Sequence, residues 1–461
     1  MTASAAARAQ QTATRVTSAL AERAAAMRYG DLSAEVRELA RQCLLDWFAV
    51  TLAGANEELA RILRDEAAAQ GGAPQATLVG AAAKTSTQQA ALVNGAASHA
   101  LDYDDVNMAM TGHPTVAVAP GLLALAEARG ASGAEVLAAF VAGYETVCRV
   151  GRLVSPGHYA RGFHSTATAG SFGAAAACAH LLGLDAKTTA VALGIAGTQA
   201  AGLKSMFGTM CKPLHAGKAA QNGLIAATLA ARGFTSRDDV LECEQGFAAT
   251  QSDDFDAEAA LREPSSGSHL RNNLFKYHAA CYLTHAPIEC AKSLRDRHKI
   301  DAGAVDGVTL KIDASADKVC NIPAPRTGLE AKFSLRLTTA FALAGIDTAA
   351  LDTYDDARTQ APELVKLRDK VSIEFQRNWP NTVAEMRVNT RDGKSFETRH
   401  DSGIPAADVA AQGLRVESKF RSLVEPVIGA AQAKRLADAV HGLDHLRHVG
   451  ELTRLAVPGA N

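Results

Sequence analysis

From Ser33 to Gly233 apolar residues recur at helical spacing, and most of them are small. Val36, Leu39, Ala40, Cys43, Leu44 and Trp47 lie along one helix face, with Ser33 placed to cap it. Ser132-Gly-Ala-Glu135 is a capping box, opening a helix on which Val136, Phe140, Gly143, Tyr144 and Val147 share a side. "GSFGAAAACAHLLG" and "AAQNGLIAATLAARGF" are further helical patterns, each closed by a glycine at the expected C-terminal position. Aromatic residues make up only 5% of the chain, so these helices must pack by close backbone approach and not around a large aromatic core. A mainly α protein is expected.

The chain's 461 residues exceed what one hydrophobic core serves, so two domains are expected. The texture changes near Lys276: Val308, Leu310 and Ile312 alternate, as do Val371, Ile373 and Phe375. "VAEMRVNTRDGKSFETRH" is two alternating runs joined at Asp392-Gly393, a hairpin signal, and the helical patterns "KFSLRLTTAFALAG" and "APELVKLRDK" lie between these runs. The expected organisation is therefore an all-helical domain over 1–270, a smaller α/β domain with an antiparallel sheet over 271–404, and C-terminal helices over 405–461 that return to the helical domain.

Formal net charge is −2, with no excess pointing to nucleic acid or an anionic membrane, so an anionic partner must be met locally. No apolar run is long enough for a membrane span. Cys43, Cys148, Cys178, Cys211, Cys243, Cys281, Cys290 and Cys320 show no paired spacing and read as reduced thiols of a cytoplasmic protein. The N-terminal "MTASAAARAQQTATRVTSAL", basic through Arg8 and Arg15, superficially resembles a transit peptide but reads as Ala-rich helix or tail, like the rest of the chain.

Four clusters combine ionisable residues with Gly or Pro. They hold Asp102, Asp104, Asp105 and His113; His164 in "RGFHSTATAG"; Lys212, His215 and Lys218 in "CKPLHAGKAAQNG"; and Lys276, Tyr277, His278 and His285 in "FKYHAACYLTH". HExxH and CxxC are absent, so no metal is expected, although His278 and His285, seven apart, would share a helix face. GxSxG, GxGxxG and the P-loop pattern are absent too. What remains suits cofactor-free proton transfer on an anion: His as acid or base, Lys as counter-charge, Asp to orient a His or hold a substrate hydroxyl. Taken singly the residues have plainer readings. The Asp run fits a solvated helix end, Lys212 before Pro213 reads as extended and exposed, Tyr144 as a core residue, and His158, His180 and His215 as structural or surface residues.

"NGAASHALDYDDV", "GHPTVAVAP", "GFHSTATAGSFGAAAA", "CKPLHAGKAAQNG" and "FKYHAACYLTHAPIE" resemble, in order and spacing, the motifs of the MmgE/PrpD family, over roughly residues 34–440. The resemblance implies a helical domain with an inserted α/β lid, a homodimer, and cofactor-free chemistry on small di- or tricarboxylates such as 2-methylcitrate, cis-aconitate or iminodisuccinate. It places the family's catalytic Asp on Asp102, its two His on His113 and His164, and its two Lys on Lys212 and Lys276. Where dehydratases and decarboxylases of the family carry a Tyr, this chain has Leu337 beside Arg336, and Val106 replaces a Thr. Arg336, Tyr144 and Lys204 are the candidates for substrate contact. A hydro-lyase acting on a hydroxy-polycarboxylate is the expected activity. The alternatives are an epimerase or isomerase, with Tyr144 as a second base, a decarboxylase, and, in another class, a non-catalytic carboxylate-binding protein.

Overall fold

The computed structural model describes residues 15–459, so the transit-like segment with Arg8 lies outside the described residues and only its last part, Val16–Ala26, is seen as a helix. The chain forms two compact units, one running to Phe275 and resuming over Ala406–Asn461, the other spanning Lys276–Pro405. Among the described residues no helix is long and apolar enough to cross a membrane, and none of the eight cysteines is in a disulfide.

The first unit is built on α1 (Ala34–Gly54), α2 (Thr87–His99), α3 (Pro114–Arg129), α4 (Gly133–Val154), α5 (Ser165–Leu181) and α6 (Cys211–Ala230). A two-stranded ribbon, β1 (Ala76–Thr77) with β2 (Lys84–Thr85), adds a small strand element that helical periodicity does not predict. Ser33 Oγ accepts from Val36 N at 3.2 Å, capping α1, and the Ser132/Glu135 capping box opens α4. Gly183 and Gly233 stand beyond α5 and α6 with φ of +69° and +84°, the left-handed conformation that ends a helix cheaply only at glycine. Lys212 departs from its extended reading: it lies in the first turn of α6 with Pro213 beside it, where proline's missing N–H would have had no intrahelical acceptor.

Small residues set how closely the helices approach. A Cβ on Gly217 of α6 would stand 2.2 Å from Leu92 O of α2, and one on Gly95 of α2 would stand 2.6 Å from Gly217 Cα. The two helices therefore cross backbone against backbone. The C-terminal chain returns to this unit as α9 (Val409–Ile428) and α10 (Ala430–His441), divided at Gly429, whose φ is +80°. α9 packs on α1, where Gln42 Nε2 donates to Val409 O and Gln412 Nε2 donates to Gln42 Oε1.

The second unit holds α7 (His285–His298), β3 (Val305–Asp313), α8 (Leu335–Leu343), β4 (Val371–Gln376), β5 (Val383–Thr390) and β6 (Ser395–Asp401). Its sheet runs β4-β3-β5-β6. The hairpin at Asp392-Gly393 and the β3–β5 pairing are antiparallel, but β3 and β4 are parallel, so the sheet is mixed where an all-antiparallel one was expected. The long crossover through α8 and Pro362–Arg368 makes the parallel pair possible. Val308, Leu310, Ile312, Met386 and Val388 point into a core shared with Ile288, Ala291 and Leu294 of α7. His278 and His285 do not share a helix: His285 starts α7, while His278 precedes it and bonds Glu289 at 2.9 Å.

Gly217→Ala should lower unfolding free energy by about 1–3 kcal/mol through overpacking at the α2–α6 crossing. Gly30→Ala, with nothing within 4 Å of the added carbon, should leave it within about 0.5 kcal/mol. Urea denaturation of both variants measures the difference.

Candidate active site

Four helix ends of the first unit supply the site. His99 is the last residue of α2, His113 and His164 occupy the N-cap positions of α3 and α5, and Lys212 is in the first turn of α6. Asp102 adopts φ +51°, a turn conformation Asp tolerates better than most residues, and this doubles the chain back to bring Asp104 under the imidazoles. The Val106–Leu274 and Asn107–Gly112 bridges hold the loop that follows. Gly112 is required by proximity, since a Cβ there would stand 2.9 Å from Thr166 Oγ1. That oxygen accepts from His113 N at 3.1 Å, tying the start of α3 to the start of α5.

Asp104 is the centre of the cluster. Its carboxylate meets His99 Nδ1 at 2.9 Å and His113 Nδ1 at 2.9 Å, and all three groups are buried or nearly so. Burial opposes ionisation of Asp104, but the His113 and His99 imidazoles hold its carboxyl well below the usual range. His113 Nδ1 also lies 2.9 Å from Asp105 O. A carbonyl only accepts, so Nδ1 carries the hydrogen and the neutral ring keeps its lone pair on Nε2. That Nε2 stands 3.8 Å from Asp102 Oδ1, which Lys212 Nζ grips at 2.6 Å. The carboxylate that orients His113 through Nδ1 is therefore that of Asp104, and Asp102 is the partner of Lys212.

Asp105 differs from Asp104 by one position and by protonation. Burial, with the charges of Asp46 and Asp104 adding to it and Thr115 hydrogen bonds opposing, raises its pKa to about 8, so it is a neutral acid at pH 7 bonded to Thr115. Behind it Lys419 of α9 pairs with Asp46 of α1 at 2.6 Å, donates to Tyr103 O at 2.6 Å and lies 4.1 Å from the centre of the Tyr103 ring. This buried cation fastens the acidic loop to α1 and α9.

His164 faces the cluster from the other side. Its ring stacks on His99 with centroids 5.9 Å apart, meets Phe207 edge-on at 5.0 Å, and its Nδ1 lies 3.0 Å from His215 Nδ1. Burial, then the nearby Lys212 charge, keeps His164 well below its ordinary pKa. Burial likewise brings His99 down to about 4.

Of the residues singled out from sequence, Asp102, His113, His164 and Lys212 come together here. Tyr144 is fully buried, its hydroxyl donating to Asn273 Oδ1 and accepting from Asn107 Nδ2, and burial drives its pKa well up. Lys204 directs its ammonium to Tyr159 O at 3.0 Å and over the Tyr159 ring. Lys276 and Arg336 belong to the second unit: Lys276 is its first residue and fully buried, and Arg336 lies in the first turn of α8 and donates to Asn321 Oδ1. Leu337, next to it, is buried in the core of that helix.

His99, the orienting role of Asp104 and the Lys419–Asp46 brace were not picked out from sequence, and His215, singled out beside Lys212, was read as a structural or surface residue. The two residues inside "SHALDYDD" had a local signal, because His99 and Asp104 flank the turn on which Asp102 sits. His99, Asp102, Asp104 and His113 also bring one ligand atom each within 4.8 Å of one another, a grouping that could hold a metal ion and that no sequence spacing announces. Among these four, the Asp102 carboxylate already carries the Lys212 ammonium as its counter-charge.

Several of these histidines make acid costly. Burial brings the folded pKa values of His99, His158 and His269 down to about 4 and holds His164 well below its ordinary value, whereas the unfolded imidazole titrates at about 6.5. Between these values the unfolded chain binds more protons, so stability should be fully present above about pH 6.5 and fall toward pH 4, by up to about 1.4 kcal/mol per pH unit for each histidine. Asp105, raised to about 8, acts oppositely, since its folded form keeps a proton the unfolded form loses. Thermal melts from pH 7 to 5 should therefore show falling Tm, and Asp105→Asn should make the fall steeper.

The MmgE/PrpD N-terminal domain model matches residues 18–260 and the MmgE/PrpD C-terminal domain model matches residues 278–445. A cis-aconitate decarboxylase of Homo sapiens is 30% identical over 79% of this chain and 78% of its own length. One of Mus musculus is 29% identical over the same shares, and one of Aspergillus terreus is 26% identical over 95% of each chain. With both domain models matched in order and relatives aligned along most of its length, this chain belongs to the MmgE/PrpD family.

Proposed function

We propose that the protein is a cofactor-independent lyase acting on a small unsaturated or hydroxylated tricarboxylate, with decarboxylation of a cis-aconitate-like substrate as its reaction. This moves the reaction from the dehydration expected from sequence to the decarboxylase alternative. The curated relatives described above are cis-aconitate decarboxylases, and this supports the shift. The observation that carries the assignment is the His113 ring, fixed through Nδ1 by Asp104 and the Asp105 carbonyl, with Nε2 beside the Lys212–Asp102 pair.

Loss of CO2 from an allylic carboxylate breaks one C–C bond and leaves its electron pair in a conjugated, aci-carboxylate-like anion, which a proton then quenches. The barrier is dominated by that charge, so positive charge and N–H donors aimed at its oxygens lower it. Lys212 supplies the cation. The helix N-termini at His113, His164 and Lys212 favour the carboxylates in the same sense. His113, neutral at rest with its lone pair on Nε2, takes up a proton from solvent there and delivers it to carbon, and the ionised Asp104 stabilises the imidazolium that exists between uptake and delivery.

Cis-aconitate, 2-methylcitrate, citrate and iminodisuccinate incubated with the protein in deuterated water and followed by NMR separate the possibilities. The expected result is CO2 release from cis-aconitate with one deuterium in the product. Water loss from a citrate would assign dehydration, and deuterium exchange without net change would assign epimerisation. Turnover of none, with a tricarboxylate still bound by calorimetry, would leave carboxylate binding alone. His113→Gln should reduce kcat by about 10²- to 10⁴-fold while a tricarboxylate still binds, and an unchanged kcat would remove His113 from the reaction.

A further inference from the structure

We infer that His215 is a positioning residue that holds His164 as a neutral Nε2–H donor, so that the site's two catalytic histidines are fixed in opposite tautomers and divide the work. The inference rests on the reading above. His164 and His215 meet through Nδ1 on both sides, 3.0 Å apart. Two facing imidazole nitrogens at that distance share one hydrogen, so the tautomer of one ring dictates that of the other. When His215 donates, the His164 Nδ1 lone pair is occupied and its hydrogen must sit on Nε2, at the opposite edge of the ring. A carboxylate ligand offers only acceptors, so an occupied site selects that arrangement.

The surroundings suit a neutral donor. His164 is buried at the N-cap of α5, whose unpaired backbone N–H groups disfavour an imidazolium, and the Lys212 ammonium is nearby. Phe207 closes one edge of the ring and His99 one face. A neutral imidazole N–H at such a place stabilises charge forming on a substrate oxygen without giving up its proton, which is the role of an electrophile and not of an acid. His113 is the reverse case: its hydrogen is pinned on Nδ1 by Asp104 and the Asp105 carbonyl, leaving Nε2 to take up and deliver protons. His215 itself is half-buried and stands in the first turns of α6, three residues after Lys212, so one helix supplies both the cation and the group that sets the His164 tautomer.

The test is long-range 1H–15N NMR of protein labelled with 15N-histidine, with tricarballylate as a non-reacting tricarboxylate probe and His164→Gln for assignment. In the native protein His164 should show a protonated Nε2 and an unprotonated Nδ1, and His113 the converse. His215→Phe should turn the His164 pattern into a tautomer mixture and lower kcat about 10- to 100-fold with little change in KM. His215→Asn, whose side-chain amide reaches the place of Nδ1, should recover most of both. A native His164 pattern and kcat in His215→Phe would overturn the inference, as would protonated Nδ1 on His164 in the native protein. If the native protein turns over none of the four acids, the proposed reaction fails while the NMR pattern still decides the tautomers.

Discussion

Everything in the first unit depends on how near its helix backbones come. With Gly95 of α2 against Gly217 of α6, and with Gly112 against Thr166 at the start of α5, the helix axes approach until helix ends, and not only side-chain tips, share one small volume. His99, His113, His164 and Lys212 each sit within a turn of such an end. A core of large residues would have separated these ends by a side-chain layer, and a carboxylate the size of Asp104 would not have spanned two imidazoles. The low aromatic content is thus a condition of the site as well as of the fold.

Within that volume the charges are sorted by their partners. Asp104 and Asp105 are neighbours in sequence and equally buried, yet two imidazoles keep the first ionised, while burial and the adjoining carboxylates keep the second protonated. The Lys419–Asp46 pair then meets the cost of holding a polar loop in the interior, because its ammonium takes the Tyr103 carbonyl as a further acceptor. The acidic loop is fastened at its backbone by α9 and at its side chains by the histidines, which leaves Asp102 and Lys212 as the half-open side of the cluster.

Much of this was legible in the chain. The Ser33 cap, the Ser132 capping box and the terminal glycines are local signals, and local hydrogen bonds made them true. Asp102, His113, His164 and Lys212 were also found, because the short clusters of ionisable residues that hold them match motifs of the family in order and spacing. Lys212 was nonetheless misplaced into extended chain, since the usual effect of proline on its predecessor is suspended where the helix is only beginning. The mixed sheet was missed because strand alternation reports which face is buried and not which neighbour runs parallel.

Two of the pairings that sequence did not reveal join residues distant along the chain. Lys419 reaches Tyr103 across 316 positions and His215 reaches His164 across 51, and no periodicity encodes such pairs. The sequence by itself determined the helices, their ends, the two-part organisation and the cast of ionisable groups, because caps, periods and turn residues act over a few bonds. Only the tertiary structure decided which carboxylate stays charged, which histidine nitrogen carries its hydrogen, and which lysine is a brace and which a counter-charge, because protonation and pairing depend on burial and on neighbours that folding alone brings together.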